Sequence, residues 1–458
     1  MKKFIAPIIL FVGVFLATLL LQKHTFECQE FDGLFLLSGD YFAGMFHKPF
    51  PISGIIADFL TQFFRFGVYA PVIVGLGVVL AFFLVRSILA RFCIGWDVLS
   101  AIFAGALWVF IAFAPSAKRG VAAVLILFLV WLVSRLLPKR KPLLLKNWVE
   151  IAGTALVTGG VFLFLFLNAD IRQKEKSSAL KSAVAIADWN RVLTVATPEA
   201  CFQDHSMTPF ALLAIGEKGQ LGNYLFNFPV YTRADLDMTG VEESTLSYFY
   251  KAVLYENLRC PNEAIHNLFQ LATLQEHGQS FMILRHLIAD NFLLGNYDMV
   301  EKYCEILSKS TLHGQYVRYF KEQMAAGTAH TPDSADVRKL IPLISHDALY
   351  NLLLFQASGL EAPSTVDRIL CTLLVDKDLE RFRSVFATVK DRYTAIPRYY
   401  EEALIFADGA TEDISPETLR RYTDFQASML SMGSAAKQRA FADTYWFYYL
   451  SKPEVATD

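Results

Sequence analysis

Apolar residues follow two regimes along this chain. Up to about residue 168 they form long runs, and beyond it they recur every third or fourth position between short polar turns. A helix that crosses a bilayer needs about 20 predominantly apolar residues. Five runs approach that length: residues 4–21, 68–89, 98–114, 121–137 and 148–167. They predict a transmembrane domain over residues 1–170. The first run ends in Leu19-Leu20-Leu21-Gln22-Lys23, which offers no small-residue cleavage site, so it reads as an uncleaved anchor. Trp96, Trp131 and Trp148 fall near the ends of these runs, where amphipathic rings favour the headgroup region. Ala101…Gly105 and Ala155…Gly159 have the spacing that lets helices approach closely in lipid.

The segment between the first two runs has a different pattern. Ile55, Ile56, Phe59, Leu60, Phe63 and Phe64 recur at helical spacing, with Asp58, Gln62 and Arg65 opposite. This predicts an amphipathic helix over residues 53–66 lying in the membrane interface, apolar face down. Glu30, Asp32 and Asp40 precede it in the same loop. The placement is similar to that in polytopic glycosyltransferases using lipid-linked donors, which carry an essential acid in their first external loop. That likeness implies Glu30, Asp32 or Asp40 as catalytic candidates, with Asp58, Gln62 and Arg65 as binding candidates. The competing reading is a solvated loop whose polar residues simply meet water.

After Lys181 the pattern is one of short amphipathic helices, and a soluble all-helical domain is expected over residues 178–458. Tyr248–Tyr255 followed by Pro261–Leu268 can be laid over Leu284–Asn291 followed by Gly295–Cys304. Ala264 and Val300 are then 36 residues apart, near the tetratricopeptide period of about 34. Ala252, Tyr255 and Ala264 occupy the small and aromatic positions of such a repeat, and Gly295-Asn296-Tyr297-Asp298 resembles its turn. Ile288, Asn291 and Val300 depart from the preferred types. Ala187-Asp188-Trp189 and Lys218-Gly219-Gln220 resemble the same turn more weakly. Further helices are expected near 346–358, 364–374, 377–391, 397–408, 415–431 and 435–450. The last contains Tyr445-Trp446-Phe447-Tyr448-Tyr449, too aromatic to be solvated all round. Core packing explains it, while Tyr445 and Trp446 are the candidates if it stacks on carbohydrate. The fold class is therefore all-α: a membrane bundle of about five spans followed by a repeat domain resembling the tetratricopeptide kind.

Charge sharpens the division. Residues 1–168 carry 14 Lys+Arg against 7 Asp+Glu, while the remainder carries 28 against 37. The acidic distal half argues against nucleic acid as a partner. Lys139, Arg140 and Lys141 make the most basic loop, which the positive-inside bias places in the cytoplasm along with Lys2 and Lys3. Five spans then put the distal domain outside, although Lys118-Arg119 and the Arg172–Lys181 stretch run against that orientation. Six cysteines, Cys28, Cys93, Cys201, Cys260, Cys304 and Cys371, have no metal spacing and read as buried single thiols. No metal or cofactor is expected.

Three stretches carry a wider likeness: Gly33-Leu34-Phe35-Leu36-Leu37-Ser38-Gly39-Asp40-Tyr41-Phe42, Asp58–Phe64 and Asp443–Tyr449. They resemble a Bacteroidota family of polytopic membrane proteins classed as a domain of unknown function. The resemblance implies a Gram-negative inner membrane, a membrane bundle and a helical-repeat tail, and it implies no reaction. The leading expectation is a non-enzymatic scaffold or assembly factor whose partners are the lipid bilayer and other envelope proteins. The alternative is an envelope enzyme or transporter handling a lipid-linked or glycan substrate at the first loop.

Overall fold

The computed structural model describes residues 4–138, 143, 145–238, 240–258, 260–275, 280–326, 350, 353–354, 365–409, 414–430 and 440–451. Among these residues the chain is helical, with no strand and one isolated bridge between Ile94 and Leu143. The helix expected at 346–358 lies almost wholly outside them. Two compact units form. The first is Met1–Ser182 with His277–Ile288 and Asp298–Ala326; the second is Ala183–Glu276, Ala289–Tyr297 and Gly327–Asp458. His277–Ile288 and Asp298–Ala326, which the sequence pattern assigns to the distal domain, thus belong to the first unit.

The first unit begins with α1 (Ile5–Leu21), α2 (Lys23–Asp32), α3 (Gly39–Phe46) and α4 (Pro51–Thr61), then a 3-10 turn over Gln62–Phe66. It continues through α5 (Tyr69–Leu89), α6 (Asp97–Phe113), α7 (Ala117–Ser134), α8 (Asn147–Leu167) and α9 (Ala169–Ala185). Among the described residues three helices are long and apolar enough to cross a membrane: α5 with its continuation to Phe92, α7 and α8. α1 reaches that measure only jointly with α2, from which it is bent by 75°. α6 is shorter, at 17 residues, or about 25 Å against a hydrocarbon core of about 30 Å. By length and composition, three of the expected five spans therefore qualify among the described residues, or four if the bent pair is one. Gln22-Lys23-His24 ends α1, because these side chains cannot continue an apolar helix.

Leu10, Val14, Val78, Phe82, Ala104 and Trp108 lie at the centre of this bundle. A Cβ on Gly13 would fall 2.2 Å from Thr158 Cγ2, so α1 and α8 approach closely there. Of the two small-residue pairs, Ala101 and Gly105 face inward, whereas Ala155 and Gly159 face out. The inward side of α8 instead carries Glu150, Thr154 and Thr158. Backbone groups orphaned at helix ends must find partners inside such a bundle. Glu150 Oε2 accepts from Val98 N at 2.9 Å, capping α6, and Gln22 Nε2 donates to Ala112 O at 2.8 Å at its other end. Arg86 Nε lies 2.7 Å from Asp97 Oδ1.

The second unit contains α10 (Trp189–Val195), α11 (Pro198–Gln203), α12 (Thr208–Glu217), α13 (Leu221–Tyr224) and α14 (Ala234–Asp237). α15 (Thr245–Asn257) and α16 (Pro261–Leu274) follow, while α17 (Phe281–Leu293) and α18 (Tyr297–Ser308) contribute to both units. α19 (Gly314–Ala325) returns to the first. α20 (Thr365–Val375), α21 (Leu379–Val389), α22 (Arg398–Asp408), α23 (Pro416–Leu430) and α24 (Tyr445–Leu450) complete the second. One turn recurs between helices of this unit. A backbone N–H reaches the carbonyl five residues back at Asp188, Gln220, Cys260, Asn296 and Asp378, at 2.8–3.0 Å. This is the Schellman closure, which ends one helix and redirects the chain into the next. The residue before four of these donors has positive φ: Ala187, Gly219, Gly295 and Lys377. Asp188 and Asp378 then cap the following helix through their side chains.

α12 and α20 are buried along nearly their whole length; α12 is apolar almost all round, whereas α20 also encloses Asp367, Arg368 and Thr372. The aromatic α24 docks on α22. Glu402 Oε2 accepts from Tyr445 N at 2.7 Å, and Trp446 Nε1 donates to Glu402 O at 2.7 Å. Lys377, held in the left-handed conformation, donates to the carbonyls of Tyr449 and Ser451, each at 2.9 Å. All six cysteines are free, and all but Cys93 are buried.

The tightest approach in this unit is at Gly222. A Cβ there would meet Pro397 Cβ at 2.7 Å and Tyr400 Cζ at 2.8 Å. Tyr400 cannot yield, because its hydroxyl is held by Asp367 Oδ1 at 3.0 Å. Gly222→Ala is expected to lower stability by about 1–3 kcal/mol, read as a drop in Tm of the detergent-solubilised protein. An unchanged Tm would show that this contact relaxes without cost.

Candidate functional site

The region bearing most of the sequence candidates is organised by α2. The bend after Leu21 leaves the first N–H groups of α2 without helical partners, and no side chain of its own caps them. Glu175 on α9 supplies the cap, with Oε1 accepting from His24 N at 2.8 Å and Oε2 from Thr25 N at 2.9 Å and the Thr25 hydroxyl at 2.8 Å. A carboxylate suits that end of a helix dipole. Further along, Cys28 Sγ donates to Ser178 O at 3.2 Å, and Lys181 Nζ bonds both oxygens of Asp32 at 2.7 and 2.8 Å. α2 and α9 therefore run side by side in the same direction. Gln29 fixes a third side, accepting from Ala117 N and donating to Pro115 O.

On the remaining face Glu30 points into the protein. It is 4% exposed, and its Oε1 lies 3.4 Å from His313 Nε2. His313, also 4% exposed, stacks on Phe281 with ring centroids 3.7 Å apart and planes 9° from parallel. Extended backbone after α2 locks the same elements together: Phe281 N donates to Gly33 O at 3.2 Å, and Leu37 N to Lys309 O at 2.8 Å. The hydroxyl of Thr311 donates to Gln62 Oε1. Glu30 Oε1 and His313 Nδ1 make no hydrogen bond.

Burial governs the charge state of this pair. It pushes Glu30 up to about 7, against the pull of Arg65 and Arg285. It pushes His313 down to about 4, and Arg65 acts in the same direction. Near neutral pH burial keeps the imidazole uncharged and favours the protonated carboxyl. The pair thus forms an acid and a base across one short gap.

The other candidates are distributed differently. Asp32 is consumed by Lys181, while Asp40 sits exposed in the first turn of α3. Asp58 accepts from Tyr41 OH at 2.7 Å and ties α3 to α4. Arg65 is exposed, over the ring of Phe66. Glu30, Asp32 and Asp40 do not converge on one point. Tyr445 and Trp446 belong to the second unit and are fully enclosed, which removes them as a stacking platform. Among the described residues no group of three His, Cys, Asp or Glu could hold a metal ion. His313, Phe281, Glu175 and Lys181 escape sequence reasoning, since none sits in a motif. The one trace is a shared step of three to four residues in Thr25, Cys28, Asp32 and in Glu175, Ser178, Lys181.

A family model matches the chain over residues 1–177 and 169–452, that of the family of unknown function DUF6057. The chain belongs to that family. No curated protein and no solved structure matches it.

The pair has a pH signature with a defined sign. Glu30 binds its proton more tightly when folded, so its contribution to stability falls as pH rises from about 4.5 through about 7. His313 binds less tightly when folded, so its contribution rises with pH from about 4 to about 6.5. Over the shared window the two slopes oppose each other. Glu30→Gln is expected to leave a Tm that climbs from pH 4 to 6.5, and His313→Gln one that declines from pH 4.5 to 7. Identical pH profiles for the two variants would refute this assignment of the proton.

Proposed function

We propose that this DUF6057 protein is a non-enzymatic integral protein of the inner membrane that holds other envelope proteins on a helical-repeat surface. The observation that carries this reading is the recurring helix-to-helix turn. Closures at Asp188, Gln220, Cys260 and Asn296 are 32, 40 and 36 residues apart, a spacing in keeping with degenerate TPR-like hairpins. Stacks of such hairpins bury a continuous core and offer an extended face to protein ligands. The fate of the acidic residues points the same way. One is buried against a histidine, one is ion-paired and one is solvated, so the first loop presents no assembled catalytic group.

Orientation follows from charge. The basic loop after α7 faces the cytoplasm on the positive-inside bias, and the helices beyond α9 face the periplasm. The second reading, an envelope enzyme or transporter acting at the first loop, draws on a single observation. Glu30 and His313 form an acid–base pair of perturbed affinity, as functional groups often do.

The two readings separate in one experiment. Tagged full-length protein is purified from native membranes in mild detergent, alongside Glu30→Gln, Asp32→Asn and Asp40→Asn. The scaffold reading expects a stoichiometric envelope protein retained by the wild type and by all three variants. A partnerless protein carrying a lipid or glycolipid that it turns over, with turnover abolished by Glu30→Gln, would establish the enzyme reading instead.

A further inference from the structure

The hairpin of α3 and α4 is built inside out for a helix in water. α4 turns its small side chains inward, burying Ser53, Gly54, Ala57 and Thr61 against its neighbours, which include α7. A Cβ on Gly54 would lie 2.5 Å from Met45 Cε, so the hairpin is closed tightly by small residues. The bulky side chains face out instead: Phe46 is 63% exposed, Phe50 68%, Ile52 60% and Phe59 42%. Phe59 keeps the outward place that the expected amphipathic pattern gives it, but beyond Thr61, where a 3-10 turn replaces the helix, the pattern breaks. Phe63 is only half-buried, Phe64 is enclosed against Phe26, and Gln62 lies in the interior.

Polar groups of the hairpin are satisfied internally. Tyr41 OH bonds Asp58, Ser53 Oγ donates to Phe50 O at 2.8 Å, and Thr61 Oγ1 donates to Asp58 O at 3.1 Å. Phe50 itself has φ of 55°, a conformation costly for an aromatic residue, and it projects its ring outward. The hairpin therefore hides what water would solvate and displays what water excludes.

We infer that the outer face of this hairpin rests in the acyl–headgroup boundary of the bilayer, as an interfacial foot beside the bundle. The occupant follows from continuity. Exposed Phe66, Val68 and Tyr69 lead directly into α5, whose outer side continues through Leu76 and Leu80. α7, against which α4 packs, likewise turns Ile126, Leu129 and Val133 outward. A protein partner covering the foot would meet the same lipid that surrounds these helices. Exposed Asp40 and His47 mark the water side of the hairpin. This inference rests on the membrane reading above, and its test separates the two.

Spin labels are placed singly at Phe46→Cys, Phe50→Cys, Ile52→Cys and Phe59→Cys in full-length protein carrying Cys93→Ser, reconstituted in lipid nanodiscs. Asp40→Cys serves as the aqueous reference and Leu76→Cys as the lipid reference. Collision with oxygen should exceed collision with a water-soluble nickel chelate at the four hairpin sites and at residue 76, and the order should reverse at residue 40. Aqueous values at the hairpin with lipid values at residue 76 would overturn the foot alone. Aqueous values at residue 76 as well would overturn the membrane reading with it. Dipolar broadening between labels at Phe50→Cys would show a second copy on this face and would also overturn the proposal.

Discussion

The N–H groups opening α2 depend on Glu175, and much of the first unit depends on that cap. The 75° bend after α1 frees these donors, and polar residues around the bend exclude a continued apolar helix. A carboxylate from α9 accepts from two of them and from the Thr25 hydroxyl. Hydrogen bonds to a charged acceptor are worth about 1.5–3 kcal/mol each, more than neutral ones. With that end fixed, Lys181 reaches Asp32 at the other, so α2 is aligned along its length. Gln29 then meets the start of α7 and Glu30 meets His313. Placement of α2 thus decides which groups the helices of residues 281–326 encounter.

The second unit solves a different problem with the same kind of device. Each αα-turn must satisfy carbonyls at the end of one helix within two or three residues. The Schellman closure does so at five places in this unit. Glycine takes the left-handed position at Gly219 and Gly295 without strain, whereas Ala187 and Lys377 adopt it at a cost. At Lys377 the structure shows what the unusual residue contributes, since its ammonium caps the last carbonyls of α24. Glu402 holds the opposite end of that helix. The terminal aromatic segment is thereby fastened at both ends, which explains why Tyr445 and Trp446 have no surface left to offer.

Much of this architecture was legible from periodicity. The apolar runs coincide with α1 and α5–α8 to within a few residues, and α20–α23 fall where breakers predicted them. Direction was less legible, because a run of apolar letters does not show that the chain bends by 75° after Leu21 into a second helix. The pattern at residues 62–64 was also less legible, for a physical reason. α4 ends at Thr61 and a 3-10 turn follows, so the helical step no longer sets which way Gln62, Phe63 and Phe64 face. The pairing of Glu30 with His313 was beyond reach: 283 residues separate them, and no spacing rule links a carboxylate to so distant an imidazole. Glu30 was chosen as a candidate acid of the first loop, and the structure places it buried against His313.

Energetics decide what Glu30 does in the closed protein. An ion pair buried this deeply loses several kcal/mol of hydration per ion, which attraction repays only with good geometry and further hydrogen bonds. At 3.4 Å, with Glu30 Oε1 and His313 Nδ1 unpartnered, neither condition is met. The cheaper state is the uncharged one, in which a protonated carboxyl faces a neutral imidazole. Phe281 stacked on the ring favours that state further, since an apolar wall raises the cost of charge. Arg65 stabilises the carboxylate but opposes the imidazolium, so it too works against the full ion pair. The pair is therefore a neutral joint between α2 and the residue that opens α19. Deprotonating Glu30 loosens it, because a lone carboxylate would remain buried beside an uncharged ring.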